Sequence, residues 1–187
     1  MIPRFVIADT TPVSVLSLLG REGLELLLAT GADLAITDVV KDELLEQPDA
    51  GSDRSLERRG AIAAWLQQRL AEGRITEMAT SAGRLYRAAM VGWQASGSPP
   101  AARPSRKDLG EVSIVGLLSA LTAEAGPQRT TFVIMDDRQG RAAVRALAVA
   151  NIDLMGTAVY LRLLAEDHGS RLAAEAWLAI EAVADAA

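Results

Sequence analysis

Short apolar runs that stop at polar residues recur along the chain. Val6–Ala8 is continuously apolar and ends abruptly at Asp9. A run of this kind, without alternation, is typical of a strand buried on both faces of a parallel sheet. Four other short segments are also predicted as strands, at 33–37, 74–78, 130–135 and 152–156.

Segments with helical spacing of apolar residues separate these strands. After the first strand, Thr11 is a suitable N-cap and Pro12 suits the first helical position. Within 56–73, Trp65 is one of several apolar residues that recur at helical intervals. Helices are predicted at 12–19, 22–31, 38–46, 56–73, 81–94, 109–126 and 138–150, with a closing helical segment from about Thr157.

The alternation of strands and helices predicts an α/β fold, a three-layer α/β/α sandwich around a central parallel sheet. Residues 1–187 contain no internal repeat and are expected to form a single domain. Residues 47–55 are predicted to be a polar loop. Residues 95–106, rich in small residues and prolines, are predicted to be a mobile linker outside the core.

Composition narrows the chemistry. The chain has no cysteine and one histidine, His168, so thiol chemistry and multi-histidine metal sites are excluded and carboxylates must do any metal chemistry. The net charge of −5 argues against a general nucleic-acid coat, although a local arginine patch is still compatible with phosphate binding. No apolar run is long enough to span a bilayer, and the N-terminus lacks the layout of a signal peptide. We therefore expect a cytoplasmic protein without a membrane segment.

Acidic residues stand where the strands end. Asp9 follows the first strand, Asp136 and Asp137 follow the strand at 130–135, and Glu43 and Glu111 lie near the starts of helices. Ligands of open parallel sheets bind beyond the carboxyl ends of the strands. Carboxylates gathered there would repel one another unless a divalent cation with oxygen ligands is bound, which points to Mg²⁺ or Mn²⁺.

Each acid also has a purely structural interpretation. Asp38, Asp136 and Asp137 have the position and the short side chain to cap the helices that follow them. Asp108 and Glu111 have the spacing of a capping box. Glu43 is compatible with an ordinary solvated helix residue. Asp9 is the exception, because Thr11 is the better cap for its helix.

Four segments in this order resemble the motifs of a PIN domain, most closely a bacterial group with a "GE" helix and a "DD" turn related to VapC-like toxins. They are "ADTTPVSVL", "ITDVVKDELLE", "DLGEVSIVGLL" and "IMDDRQGRAAVRAL", followed by "GTAVYLRLLA". The resemblance covers residues 5–167 and is interrupted at 47–107, which matches none of these motifs. PIN domains are small α/β nucleases that cleave single-stranded RNA with one or two Mg²⁺ or Mn²⁺ ions.

The resemblance implies a role for each acid. Asp9, Glu111 and Asp137 would be metal ligands, Glu43 the second acid of the cluster, and Asp136 an alternative to Asp137. Thr10 would fill the small hydroxyl position that follows the first acid. Many toxin members carry Thr or Ser just before the last acid, where this chain has Met135 and Asp136.

Arginines and aromatic residues are the other candidates for contact with RNA. Arg138 and Arg141 form a basic stripe with Arg145 on the helix after the acidic pair, either as a phosphate-binding surface or as a solvated face. Trp65, Tyr86 and Trp93 have the spacing of an apolar helix face, which favours packing over base stacking.

The expected partners also follow from the resemblance. They are single-stranded RNA, a small antitoxin if the protein is the toxin of a toxin–antitoxin pair, and a second copy in a homodimer. The apolar helices at 61–70 and 80–94 offer a surface for the antitoxin or for the second copy.

Two other classes of protein compete with this interpretation. Haloacid-dehalogenase-like phosphatases also place an aspartate after a first strand, but they need a second aspartate where this chain has Thr11. A non-catalytic PIN-like module that binds RNA or a protein is the second alternative, supported by the departure around Met135 and by the unmatched region 47–107.

Overall fold

The computed structural model describes residues 3–46, 53–124 and 130–185. The strands are β1 Val6–Ala8, β2 Leu34–Thr37, β3 Ile75–Met78, β4 Thr131–Ile134 and β5 Ile152–Met155. The helices are α1 Thr10–Leu16, α2 Gly20–Glu25, α3 Asp38–Leu45, α4 Asp53–Ala71, α5 Ser81–Ala95, α6 Leu109–Glu124, α7 Arg138–Ala146, α8 Thr157–His168 and α9 Arg171–Asp185.

The five strands form one parallel sheet in the order β3-β2-β1-β4-β5. Every residue of β1, β2 and β4 is buried, as expected for central strands covered by helices on both faces. The edge strands β3 and β5 each keep exposed positions. The predicted α/β/α sandwich with a central parallel sheet is therefore confirmed.

The strand order reverses direction at β1. The chain runs from β1 outward to β2 and β3, and then returns to place β4 on the other side of β1. Residues Val6 and Ala8 are in register with Phe132 and Ile134 of β4. A crevice beyond the carboxyl ends of the two strands at such a reversal is the general ligand-binding position of open α/β sheets.

One hydrophobic cluster joins the sheet to helices on both sides in the described part of the chain. Trp65 of α4 is only 2% exposed, so the apolar side of 61–70 packs in this core and is not a free surface for a partner. Tyr160 of α8 is fully buried, and its hydroxyl donates to the carbonyl of Leu26 at 2.9 Å. The predicted packing role of Trp65 is confirmed.

The bounds of α1 and α2 differ from the sequence prediction. Helix α1 begins at Thr10, so Asp9 and not Thr11 occupies its N-cap position. Helix α2 ends at Glu25 and is followed by a 3₁₀ turn over Leu26–Leu28, whereas the pattern predicted one helix over 22–31. All three leucines of that turn are buried, which successive residues of a surface α-helix cannot be.

The region without motif resemblance, 47–107, is part of the fold where the structure describes it. It contributes the edge strand β3 and the helices α4 and α5. Residues 47–52 of the predicted loop lie outside the described residues, and helix α4 begins at Asp53, within the loop predicted over 47–55.

The predicted linker follows α5 as an exposed segment with one 3₁₀ turn, Pro100–Ala102. The Trp93 indole donates to the carbonyl of Pro99, and Arg103 lies over the Trp93 ring. The mobility of the linker at 95–106 stays a prediction. No helix within the described ranges is both long and apolar enough to cross a membrane.

Candidate metal and nucleic-acid site

The reversal point of the sheet carries two of the predicted acids. Asp9 follows β1 directly, and its backbone N–H donates to the carbonyl of Ile134 at 3.0 Å. Asp137 begins the turn into α7 after the neighbouring strand β4. The two residues are therefore fixed at the carboxyl ends of adjacent strands by the sheet itself.

Glu43, on α3, and Glu111, on α6, also lie near the carboxyl ends of β1 and β4. The Thr37 hydroxyl caps α3 by accepting from the Val40 N–H at 3.1 Å, so Thr37, and not Asp38, is the cap of this helix. The same hydroxyl lies 2.7 Å from Oγ of Ser113, which also donates to the carbonyl of Gly110. This buried chain of hydrogen bonds ties the start of α6 to the start of α3 and so brings the two glutamates together.

Asp38 instead joins α3 to α5. Its buried carboxylate accepts from the backbone N–H and the hydroxyl of Thr80 and pairs with Arg87 at 2.6 Å. Although burial acts in the other direction, the hydrogen bonds from Thr80 and Arg87 lower the pKa of Asp38 below its ordinary value. This acid has a structural role.

Asp9 is the most deeply buried acid of the cluster, at 5% exposure. Its side chain makes no capping hydrogen bond to α1. Burial raises the pKa of Asp9 to about 6, the charges of Glu111, Glu43 and Asp137 add to the rise, and the neighbouring Thr10 N–H opposes it. Glu43, Glu111 and Asp137 therefore all lie within electrostatic reach of Asp9.

Glu43 is half-buried and fixed by Thr10, whose hydroxyl donates to Oε2 at 2.6 Å. Burial raises the pKa of Glu43, and the charge of Glu111 raises it further, while Thr10 and the charge of Arg106 act against the rise. The structure thus places Thr10 as the residue that orients Glu43.

Gly110 is a site residue that the sequence analysis did not single out. A methyl group built on it would lie 3.2 Å from Glu43 Oε2 and 3.5 Å from Asp9 Oδ1, so both carboxylates face its Cα. Gly140 allows a similar close approach, because a methyl group there would lie 2.5 Å from the Met135 Sδ and 2.8 Å from the Glu111 Cγ. The "GE" pair was the available signal, since a glycine beside an acid permits a close approach of other side chains.

The two consecutive aspartates have different surroundings. Asp136 accepts from the Thr157 N–H at 2.8 Å and from the Thr157 hydroxyl at 2.5 Å, which ties it to the start of α8. Asp137 Oδ1 accepts from the Gly140 N–H at 2.7 Å and so caps α7, as the structural interpretation predicted. The charge of Asp137 adds to the raised pKa of Asp9, whereas both carboxylate oxygens of Asp136 are engaged by Thr157. Asp137 is therefore the better candidate for the cluster.

The arginines predicted to bind substrate lie on α7. Arg138 is exposed, whereas Arg141 is half-buried close to Asp136 and Gly156. The buried Nε of Arg141 has no hydrogen-bond partner. Arg138 is thus the more accessible of the two for a phosphate.

Arg106 on the linker is a further basic residue that the sequence analysis missed. Its guanidinium lies over the Tyr86 ring, pairs with Glu46 and acts on the charge of Glu43. Tyr86 and Trp93 therefore each carry an arginine of the linker on their rings. This arrangement favours the predicted packing role over base stacking.

A groove of about 260 Å³ runs beside the acids between α6 and α7. Glu111 and Asp137 line it together with Asp108, Val112 and Gln139. The groove therefore leaves Glu111 and Asp137 accessible to a ligand from this side.

The possible ligands, Asp9, Glu111 and Asp137, fit a hard divalent cation because they offer carboxylate oxygens. None of these three is ion-paired with a lysine or arginine among the described residues. The arrangement is not a completed coordination site. Across residues 3–46, 53–124 and 130–185, no three acidic or histidine side chains are grouped closely enough to hold an ion together. A cation would therefore have to draw the carboxylates inward.

No protein-family model, curated protein or solved structure matches the chain. The likeness to PIN domains consequently depends on the four sequence motifs and is a proposal about this protein.

Proposed function

We propose that the protein is a Mg²⁺- or Mn²⁺-dependent ribonuclease of the PIN type that cleaves single-stranded RNA. The observation that carries the proposal is the buried carboxylate of Asp9 at the reversal point of the sheet, with three other acids close enough to raise its pKa. A cluster of like charges is unfavourable in the folded protein, and a divalent cation bound there would offset the repulsion.

The residues would divide the work as follows. Asp9, Glu111 and Asp137 would hold the metal, and Glu43, oriented by Thr10, would complete the acidic pocket around it. When bound, such a metal activates water and relieves charge on the leaving oxygen of a phosphodiester. Arg138 would bind a phosphate of the strand beside the acids. Asp136, tied to Thr157, would fix the turn that carries Asp137.

A cleavage assay tests the proposal. End-labelled single-stranded RNA of mixed sequence is incubated with the purified protein and Mg²⁺ or Mn²⁺, and with a chelator as the negative control. We expect cleavage by the wild type only with metal, and none by Asp9→Asn. The matched control is Asp33→Asn, which removes the same charge from an exposed position before β2.

A second candidate function, a non-catalytic PIN-like module that binds RNA or a protein, is favoured by one observation. No three acids are grouped as a finished metal site in the described part of the chain, and Asp137 is already engaged as a helix cap. RNA that is bound by the wild type but not cut with either metal would select this alternative.

A toxin role, a small antitoxin and a homodimer are part of the same proposal. Helix α5 retains two exposed large apolar side chains, Leu85 at 72% and Val91 at 65%. Of the two helices predicted to offer a surface, α5 rather than the buried apolar side of α4 would then receive either partner.

A further inference from the structure

A small pocket lies on the other flank of the acidic cluster, among α1, α3 and α4. Thr10 and Glu43 belong both to this pocket and to the cluster, and Ser14, Arg58 and Arg59 line it with them. Its volume is about 50 Å³. At ~10–15 Å³ for each water, this is room for a few waters or one phosphate group and is too small for a nucleobase.

Two half-buried arginines in this pocket have no carboxylate partner in the described part of the chain. Arg59 donates to the backbone carbonyl of Glu46. Arg58 makes no ion pair with any described acid. Two other arginines of comparable exposure do have one, as Arg69 has Glu25 and Arg106 has Glu46, whereas Arg141 has no ion pair among the described residues. A partly desolvated cation without a counter-charge is unfavourable, and a bound anion would compensate it.

We propose that the pocket of Ser14, Arg58 and Arg59 binds a backbone phosphate of the RNA strand, beside the phosphate that would be cleaved at the acidic cluster. A guanidinium presents several N–H donors in a planar fork that matches phosphate oxygens, and the Ser14 hydroxyl adds another donor. The two arginine charges exceed the single negative charge of Glu43 in the same pocket. The inference rests on the proposed function for the identity of the ligand.

This pocket would also define the path of the strand. Arg58 and Arg59 lie in the pocket beside α3, which follows β2, and Arg138 begins α7, which follows β4 on the opposite side of β1. An extended strand held at both flanks passes over Asp9, whereas a duplex end or a single nucleotide is held at one flank only. The arrangement therefore favours a single strand that extends on both sides of the bond to be cut.

The test measures binding separately from cleavage. Fluorescence anisotropy of a labelled single-stranded oligoribonucleotide is recorded in chelator over a range of salt concentrations. Loss of one phosphate contact on a single strand is expected to reduce the slope of log K against log salt by ~0.7, which weakens binding about 5-fold at 0.1 M salt. We expect this change for Arg58→Ala with Arg59→Ala.

Two controls accompany the double variant. Arg58→Lys with Arg59→Lys keeps both charges and should keep the slope. Arg74→Ala with Arg171→Ala removes two charges away from the pocket, since Arg74 precedes β3 at the amino ends of the strands and Arg171 is exposed at the start of α9. Arg58→Ala alone, which breaks no hydrogen bond among the described residues, serves if loss of the Arg59 contact impairs folding.

The inference is overturned if the alanine double variant keeps the wild-type slope, if the distant pair lowers the slope equally, or if the wild type binds no RNA. A different set of results would show that the nuclease proposal fails while the phosphate-binding inference holds. The wild type and the lysine variant would bind RNA, the alanine variant would bind it with the reduced slope, and none of the three would cut RNA with Mg²⁺ or Mn²⁺.

Discussion

Replacing Asp9 by asparagine is expected to stabilise the metal-free protein at neutral pH. The substitution keeps the shape of the side chain and removes its charge. Raising the pKa of Asp9 from its ordinary 3.8 to about 6 corresponds to roughly 3 kcal/mol, at ~1.4 kcal/mol for each pKa unit. This is a large effect beside the ~5–15 kcal/mol by which domains are usually stable.

The sign follows from proton binding. Between the ordinary and the raised pKa, the folded protein holds the Asp9 proton more tightly than the unfolded chain does. The contribution of Asp9 to the free energy of unfolding is therefore fully present below about pH 4 and is lost as the pH rises through about 6. Asparagine has no such dependence. The stability of Asp9→Asn relative to wild type should thus increase by about 2–3 kcal/mol between pH 4 and pH 7.5.

Urea unfolding in chelator at these two pH values measures the effect, with tryptophan fluorescence as the signal because Trp65 is buried in the core. The exposed Asp33 supplies the control, and Asp33→Asn should stay within ~0.5 kcal/mol of the wild type at both pH values. A difference between Asp9→Asn and wild type that does not change with pH, or that shrinks as the pH rises, would refute the reasoning.

Three further predictions follow from the site. Gly110→Ala places a methyl group against the cluster and should abolish metal-dependent cleavage. Gly116→Ala, on the same helix, meets nothing within 4 Å, so it should keep cleavage and raise the free energy of unfolding in urea by ~0.5–1 kcal/mol. Equal activity of the two variants would contradict the placement of Gly110 beside the acids. Asp137→Ser should keep the α7 cap and lose cleavage. Asp137→Ala should lose cleavage and also ~1 kcal/mol of stability, because it removes the cap. A fully active serine variant would show that Asp137 is not part of the site. Asp38→Asn should lower the free energy of unfolding by ~1–2 kcal/mol at pH 7. The loss should become smaller as the pH falls below 3.8, because the pKa of Asp38 is lowered in the folded protein and its stabilising contribution fades in acid. A loss of stability that grows in acid would contradict this.

Local patterns were sufficient to predict the central strands. β1, β2 and β4 are short apolar runs with abrupt polar ends, and burial on both faces selects such runs. The helix start after β1 was predicted two positions late. Thr11 and Pro12 suit a cap and a first turn, yet the helix begins at Thr10, which orients Glu43 through its hydroxyl.

The candidate site was predictable in its residue types and only partly in its geometry. The placement of Asp9 and Asp137 on adjacent strands depends on the pairing of β1 with β4, which joins segments far apart in the chain. The choice between Asp136 and Asp137 was open because the strand ends at Ile134, beyond which alternation of side chains no longer applies. The environment that distinguishes the two comes from Thr157, a residue of another helix, which holds Asp136.

Other site features depend on long-range packing alone. Arg58 and Arg59 lie beside Glu43 because α4 packs against α3. Their sequence context, a charged stretch at the start of an amphipathic helix, is typical of a solvated face. The part of Gly110 likewise depends on the approach of Glu43 from α3.

The central claim is that the acids at the reversal point of the sheet bind a divalent cation together. Titration of the protein with Mn²⁺, followed by the electron paramagnetic resonance signal of the free ion, tests it directly. The account predicts that the wild type and Asp33→Asn remove free Mn²⁺ from solution and that Asp9→Asn binds it at least about tenfold more weakly, since loss of a charged ligand is worth upwards of ~1.4 kcal/mol. A free-ion signal that the wild type leaves unchanged at millimolar Mn²⁺, or equal binding by Asp9→Asn, would contradict it.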